Sequence, residues 1–187
     1  MRTDSPPDSP SMRPPHPLCV ALIDRLEPRA SIIECGIGSG RNRRALHAAG
    51  FVVDDFSALA PGRRYDGALS THHLLHGTQE SIATDLERLA DALRIEGTLY
   101  ATFGSTGDER FGRGRKLAPH VFAPTSGDEI GVPHTFWDEA DLRSLLDQRF
   151  RVESLDEIIV DDIAGRWAHQ EQPLHNAVHW FAILLRQ

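Results

Sequence analysis

The chain reads as a single α/β domain in three layers: a mostly parallel sheet between helices, with an antiparallel strand at its C-terminal end. Three observations predict this. Short apolar runs alternate with amphipathic helical stretches from residue 18 onward, the arrangement that builds a parallel sheet covered on both faces. Two strand-like runs follow each other at the end with no helix of matching strength between them, which allows an antiparallel pair. A length of 187 residues at 40% apolar content suits one core and is short for two.

The elements follow in order. Residues 1–17 hold six of the twelve prolines and almost no large apolar groups, so they cannot repay the entropy of ordering and are read as a disordered tail, with the domain at 18–187. "LCVALIDRL" (18–26) has helical apolar spacing and stops before Pro28. "SIIECG" is a strand. From Ser39 to Ala49 the pattern turns helical and Gly50 closes it, and "FVVDDF" (51–56) is a second strand.

"YDGALST" (65–71) is a third strand, and residues 79–97 form an amphipathic helix with Ile82, Leu86, Leu89 and Leu93 on one face and Gly97 as its stop. "TLYATFG" (98–104) follows as a strand. Residues 105–133 are rich in glycine and arginine with little internal pattern, which marks a functional loop or lid. Residues 138–150 form a helix capped by Asp138. "RVESLDEIIV" and "AVHWFAILLR" (177–186) are the last strands.

Composition narrows the function. A formal charge of -7 and a pI near 5.8 leave no overall basic footprint, so no nucleic-acid partner is expected. The local run "RFGRGRK" (110–116) either attracts an anionic acceptor or is a solvated loop. Cys19 and Cys35 have neither metal-knuckle nor disulfide spacing and are read as reduced, buried thiols. No apolar run approaches the roughly 18 residues of a membrane span, and no basic-then-apolar leader is visible, so the expected setting is cytoplasmic, away from membranes.

The chemistry starts at "IIECGIGSGRN" (32–42), a strand running into glycines and then a helix. Glycine lets backbone approach a ligand closely, and the helix start offers free N–H groups. A Walker phosphate loop needs Gly-Lys-Ser/Thr, and Lys116, the only lysine, is far away. The dinucleotide turn needs its third glycine three positions after the second, whereas Gly36, Gly38 and Gly40 are spaced two and two.

An acid followed by alternating glycines, here Glu34, Gly36, Gly38 and Gly40, resembles motif I of the class I S-adenosylmethionine-dependent methyltransferases. "YDGALSTHHLLHG" looks like that family's fourth-strand motif. "LRIEGTLYATFGS" looks like its hairpin into the fifth strand, with Ile95-Glu96 in place of Pro-Gly. "VPHTFWDEADLRSLLDQRFRVESL" and "HWFAILLR" resemble the closing helix and strands. The resemblance spans residues 18–187 in order and is closest to small-molecule methyltransferases of the tellurite-resistance type. It implies a Rossmann-like fold, S-adenosyl-L-methionine as cofactor and a small-molecule acceptor, with oxygen, nitrogen, sulfur and metalloid atoms all open.

The resemblance also implies roles. Glu34 holds the cofactor's ammonium end through water, and Gly36, Gly38 and Gly40 let the backbone pass close. Asn42 either bonds the cofactor or sits in the helix's first turn, and Ser70, in the fourth-strand motif, is a further cofactor-binding residue. An acid at the end of the second strand holds the ribose; Asp54 and Asp55 are available, one per strand face, and Asp54 takes precedence by position. His72, His73 and His134 are candidates to orient or deprotonate the acceptor, imidazole titrating nearest neutrality. For His72 and His73 the alternative is a capping or solvated ring. Phe136, with His134, resembles a motif that faces the substrate, the alternative for Phe136 and Trp137 being core packing, and Trp167, His169 and His175 suit a late lid.

No metal is expected: His72 and His76 are four apart, but the zinc-protease pattern needs a glutamate after the first histidine, and His73 stands there. Finally, residues 51–64 are too few for another strand crossover, which with its helix needs at least ~10–12 residues besides the strands, so one βα unit of the resembled fold is absent. That shortening allows three outcomes: a weakened cofactor pocket, one completed by a second copy in a homodimer, or a binding or regulatory domain without catalysis.

Overall fold

Neighbouring residues along each central strand pack on opposite faces, and that alternation builds two apolar layers around one sheet. Ile32, Leu69 and Tyr100 join Leu18, Cys19, Leu22 and Leu46 in one core. Ile33, Ala68, Leu99, Ala101 and Phe103 join Ile82, Leu86, Leu89, Leu142 and Leu146 in the other. The computed structural model describes residues 14–59, 61–127, 129–160 and 176–187.

The elements are α1 (Pro17–Arg25), β1 (Ser31–Cys35), α2 (Arg41–Ala48), β2 (Val52–Asp55), β3 (Tyr65–Ser70), α3 (Gln79–Ala92), β4 (Leu93–Ser105), β5 (Arg115–Ala118), β6 (Val121–Ala123), β7 (His134–Trp137), α4 (Glu139–Leu146), β8 (Phe150–Ile159) and β9 (Val178–Arg186). Strands β2, β1, β3 and β4 are parallel neighbours in that order. On its other edge β4 pairs antiparallel with β9, which pairs antiparallel with β8. The three-layer, mostly parallel sheet with an antiparallel C-terminal strand is therefore present. Cys19 and Cys35 are buried free thiols, as read from their spacing. No helix among the described residues is long and apolar enough to cross a membrane.

Four details differ from the sequence expectation. First, the ordered chain begins before Leu18: α1 starts at Pro17, and His16 is fully buried and caps the helix by accepting the Leu18 N–H on Nδ1. Proline is well placed in a first helical turn, where its missing N–H costs nothing. Second, α3 ends at Ala92, not at Gly97. Leu93 already has extended backbone, and Glu96 takes the left-handed φ of 61° that a glycine usually occupies. Gly97 is needed for that tight turn, since a Cβ there would lie 2.8 Å from the Arg94 carbonyl oxygen.

Third, the stretch read as a patternless loop contains the hairpin β5–β6, and β7 joins it to the main sheet. Strands of three and four residues are too short to show a period of two. Fourth, β2 pairs directly with β1 and, among the described residues, has no strand beyond it. It is thus the second strand of the resembled fold, kept at the sheet edge, and the absent unit is the one that would follow it. Trp167, His169 and His175 lie outside the described residues.

Candidate functional site

The carboxyl ends of β1, β2 and β3 lie side by side, where parallel sheets bind ligands. Beyond Cys35 the chain turns through Gly36, Gly38 and Gly40 at φ of 71°, 50° and 73°, a conformation that side-chain-bearing residues rarely adopt. The loop delivers the chain to α2, whose N-cap Gly40 offers no side-chain cap. The first N–H groups of this helix are accordingly left for a ligand. A cleft of about 240 Å³ opens there, lined by Gly36, Gly38, Asn42, Thr71, His72 and His73 among others.

Glu34 ends on the α2 face of β1 and is 1% exposed. Its Oε2 accepts from Arg43 Nε at 2.6 Å, while its Oε1 is buried without a hydrogen-bond partner among the described residues. Burial pushes the Glu34 carboxyl up, and the Arg43 guanidinium works against that shift. Strand register sets Asp55 opposite Glu34 and Asp54 opposite Ile33. Asp55 therefore shares the Glu34 face, 3.6 Å from Arg43, and accepts from the Ser57 hydroxyl and N–H, which hold its carboxyl below the usual range. Asp54 faces the other layer and accepts from Arg63 and the Tyr65 hydroxyl. Of the two aspartates read as ribose candidates, Asp55 is the one that shares a face with Glu34 and Arg43, and Asp54 is the one on the opposite face.

Asn42 is buried, and its side chain is committed to the fold. Its Oδ1 accepts the His16 N–H at 2.9 Å and its Nδ2 donates to the Thr71 hydroxyl at 3.1 Å. It pins the start of α1 to the end of β3. Ser70 is fully buried, and its Oγ has no hydrogen-bond partner among the described residues. A buried polar atom of this kind costs about 1–3 kcal/mol unless something meets it.

The histidines divide. His72 lines the cleft, with His16 and His179 edge-on to it at ring distances of 6.0 and 6.3 Å. Burial drives His16 down to about 3 and His179 down to about 4, so both rings are neutral. His73 also lines the cleft, but its Nε2 is engaged with Asp85 at 2.9 Å and its ring stands against Phe56. His134 lies away from these, on β7, beside a second cavity of about 270 Å³ lined by Arg110, Arg113, Phe122, Phe136, Glu129 and others. Phe136 and Trp137 are both buried, and Phe136 stacks edge-on with Phe111 while also bordering this cavity.

Glu129 borders both cavities. Its Oε2 is 3.0 Å from His134 Nε2 and its Oε1 is 3.2 Å from His76 Nε2, contacts that hold its carboxyl well below the usual range. Sequence reading missed this residue, as it missed Arg43. Only Arg43's place one turn after the glycine loop hinted at a role.

The fold is that of the class I S-adenosylmethionine-dependent methyltransferases. A Burkholderia thailandensis 1,6-didemethyltoxoflavin-N1-methyltransferase, solved with 1,6-didemethyltoxoflavin and S-adenosylhomocysteine bound, superposes at a TM-score of 0.65 with 17% identity, over 92% of this chain and 77% of that one. A Methanosarcina mazei S-adenosylmethionine-dependent methyltransferase superposes at 0.63 with 14% identity, over 92% and 98%. TehB from Haemophilus influenzae superposes at 0.57 with 11% identity, over 92% and 62%. No family model matches the sequence, and no curated protein matches it.

Proposed function

We propose that the chain is an S-adenosylmethionine-dependent methyltransferase acting on a small molecule. The observation that carries this reading is the conjunction of the left-handed glycine loop with two buried oxygens, Glu34 Oε1 and Ser70 Oγ, that lack hydrogen-bond partners among the described residues at the ends of β1 and β3. Glu34 Oε1 suits an ammonium, and the loop suits a ligand that needs bare backbone more than a lysine cradle. Oε1 and Oε2 are separate acceptors, so Glu34 can take the ammonium while Arg43 stays in place.

When bound, the cofactor supplies an activated methyl group on a sulfonium centre. The chain's own residues do the rest. The 36–40 loop and the start of α2 bind the methionine half, and Asp55 is the acid for the ribose. Pocket residues exclude water and orient the acceptor, which for an in-line displacement is most of the catalytic work. His72 is the imidazole on the cleft wall suited to accept an acceptor proton; His73 is held by Asp85 and serves positioning. His134 meets the acceptor from the second cavity, whose phenylalanines and arginines suit a flat, anionic or polar small molecule.

A second reading has its own support. A cleft of about 240 Å³ is below the ~300–1,000 Å³ usual for small-molecule sites. Arg43 bridges both acids, and β2 is the edge strand of the sheet among the described residues. These features favour a binding or regulatory domain without catalysis, or a pocket completed by a second copy of the chain. Calorimetric titration with S-adenosylhomocysteine separates the enzyme from a domain that has lost the cofactor pocket: saturable 1:1 heat supports the enzyme, and no heat with no thermal shift at millimolar ligand sinks it.

A further inference from the structure

We propose that His76, Glu129 and His134 form a binding site for a divalent transition-metal ion, of the kind that accepts mixed nitrogen and oxygen ligands, on the wall between the two cavities. The donors are already gathered: one carboxylate oxygen faces each imidazole Nε2, at 3.2 Å for His76 and 3.0 Å for His134. The rings stand nearly perpendicular with centroids 4.7 Å apart, and the three ligand atoms lie within 4.8 Å of one another. Bonds of about 2.1 Å meeting at right angles place adjacent donors about 3.0 Å apart, close to the two nitrogen-to-oxygen spacings, and small shifts of partly exposed His76 and Glu129 bring all three donors onto one ion.

Hydrogen-bond chemistry points the same way. His134 Nδ1 lies 3.0 Å from the Val132 carbonyl oxygen, which can only accept, so Nδ1 carries the proton. His134 Nε2 is then the nitrogen aimed at the Glu129 carboxylate, 3.0 Å away, and the space between these two atoms is one that either a proton or a metal ion can fill. A backbone carbonyl on the far nitrogen is the usual partner of a metal-bound histidine, since it sets the tautomer and the ring's aim.

The site is also preorganised. His76 and His134 are paired by an antiparallel backbone bridge, and that bridge is held on either side by the Gly77 N–H to the Pro133 carbonyl at 2.8 Å and the Thr135 hydroxyl to the Gly77 carbonyl at 2.7 Å. Glu129 is tied in by its carbonyl, which accepts the Val132 N–H at 3.0 Å. His134 is 6% exposed, whereas Glu129 reaches into both cavities. Two imidazoles and one carboxylate leave further coordination positions open, and these face the cavities where an acceptor oxygen or nitrogen can enter. The use of such an ion in methyl transfer rests on the proposed function; its binding does not.

The test is titration of metal-free full-length protein with Zn²⁺ in the absence of any methyl donor, followed by calorimetry. One equivalent is expected to bind, and His76→Ala and Glu129→Gln are each expected to weaken that binding at least about tenfold, because even outer partners of a metal cost 10- to 100-fold. Both side chains are partly exposed, so both variants should keep the wild-type melting curve, which is not assured for buried His134→Ala. Zinc that binds the double variant His76→Ala, Glu129→Gln as tightly as wild type, or that fails to bind at one equivalent, overturns the proposal. Separate titration with S-adenosylhomocysteine reports on the methyltransferase reading alone.

Discussion

Replacing Glu34 with glutamine tests the cofactor assignment with little change of shape. In the wild type, Oε2 is occupied by Arg43 at 2.6 Å and Oε1 is a buried acceptor without a hydrogen-bond partner among the described residues. In Glu34→Gln the amide oxygen can still accept from Arg43, and the amide nitrogen then turns two donors toward the position proposed for the ammonium. The loss is one charge-assisted hydrogen bond, about 1.5–3 kcal/mol, which converts to about 10- to 150-fold in affinity. The fold should tolerate the change because two terms oppose: attraction to Arg43 falls, but the burial penalty that pushes the Glu34 carboxyl up also disappears. Arg43 keeps Asp55 at 3.6 Å. Melting temperature should therefore stay within about 4 °C, since ~1 kcal/mol shifts a chain of this size by about 2–4 °C. Calorimetric titration with S-adenosylhomocysteine, beside a melting curve of each protein, makes the measurement. Binding by Glu34→Gln within twofold of wild type would refute the assignment.

Arg43→Gln, by contrast, strands Glu34 at 1% exposure without its cation; breaking a buried pair costs about 3–5 kcal/mol, so melting should fall by roughly 6–20 °C, and a change under about 2 °C would deny the pair its structural role. The neutral rings of His16 and His179 predict acid lability. Their folded values, about 3 and about 4, lie below the free value of 6.5, so the unfolded chain takes up protons first; stability is complete above about pH 7 and falls as pH drops through 6.5 toward 4. The two rings together account for a loss of about 4 kcal/mol at pH 5, trimmed by Glu34, whose raised carboxyl works in the opposite sense. Urea midpoints that coincide at pH 7 and pH 5 would contradict this. Gly104→Ala places a Cβ 2.5 Å from the Thr135 carbonyl oxygen, so it should cost about 1–3 kcal/mol and speed amide exchange selectively in 134–137; uniform protection would show that β4 and β7 part easily.

Much of the frame was legible because it rests on local periodicity. Ile32 and Ile33 point to opposite layers, Leu86 and Leu89 share a helix face, and Asp138 caps α4 by accepting the Asp141 N–H, all as spacing alone implies. Short segments defeated the same reasoning. Strands β5 and β6 are too brief to show a period, and the turn after α3 is made by Glu96 in a conformation normally signalled by glycine.

The site divides along the same line. Glycine spacing behind Glu34 was readable, since a two-residue rhythm between strand and helix is a local signal. Which aspartate faces Glu34 was not: it depends on the β1–β2 register, which sets Asp55 rather than Asp54 on the α2 face. Nor could spacing reveal that Arg43 bridges two acids, or that Asn42 is spent holding His16 and Thr71.

By itself, then, the sequence determined the α/β class, the order of the main helices and strands, the glycine loop between strand and helix and the loss of one βα unit, because each is written in neighbouring residues or in chain length. Only the tertiary structure decided that the kept strand is the second one, now an edge, and that His76, Glu129 and His134 meet. Those outcomes depend on pairing between segments far apart in the chain, and side-chain type at one position carries no record of which distant backbone will lie beside it.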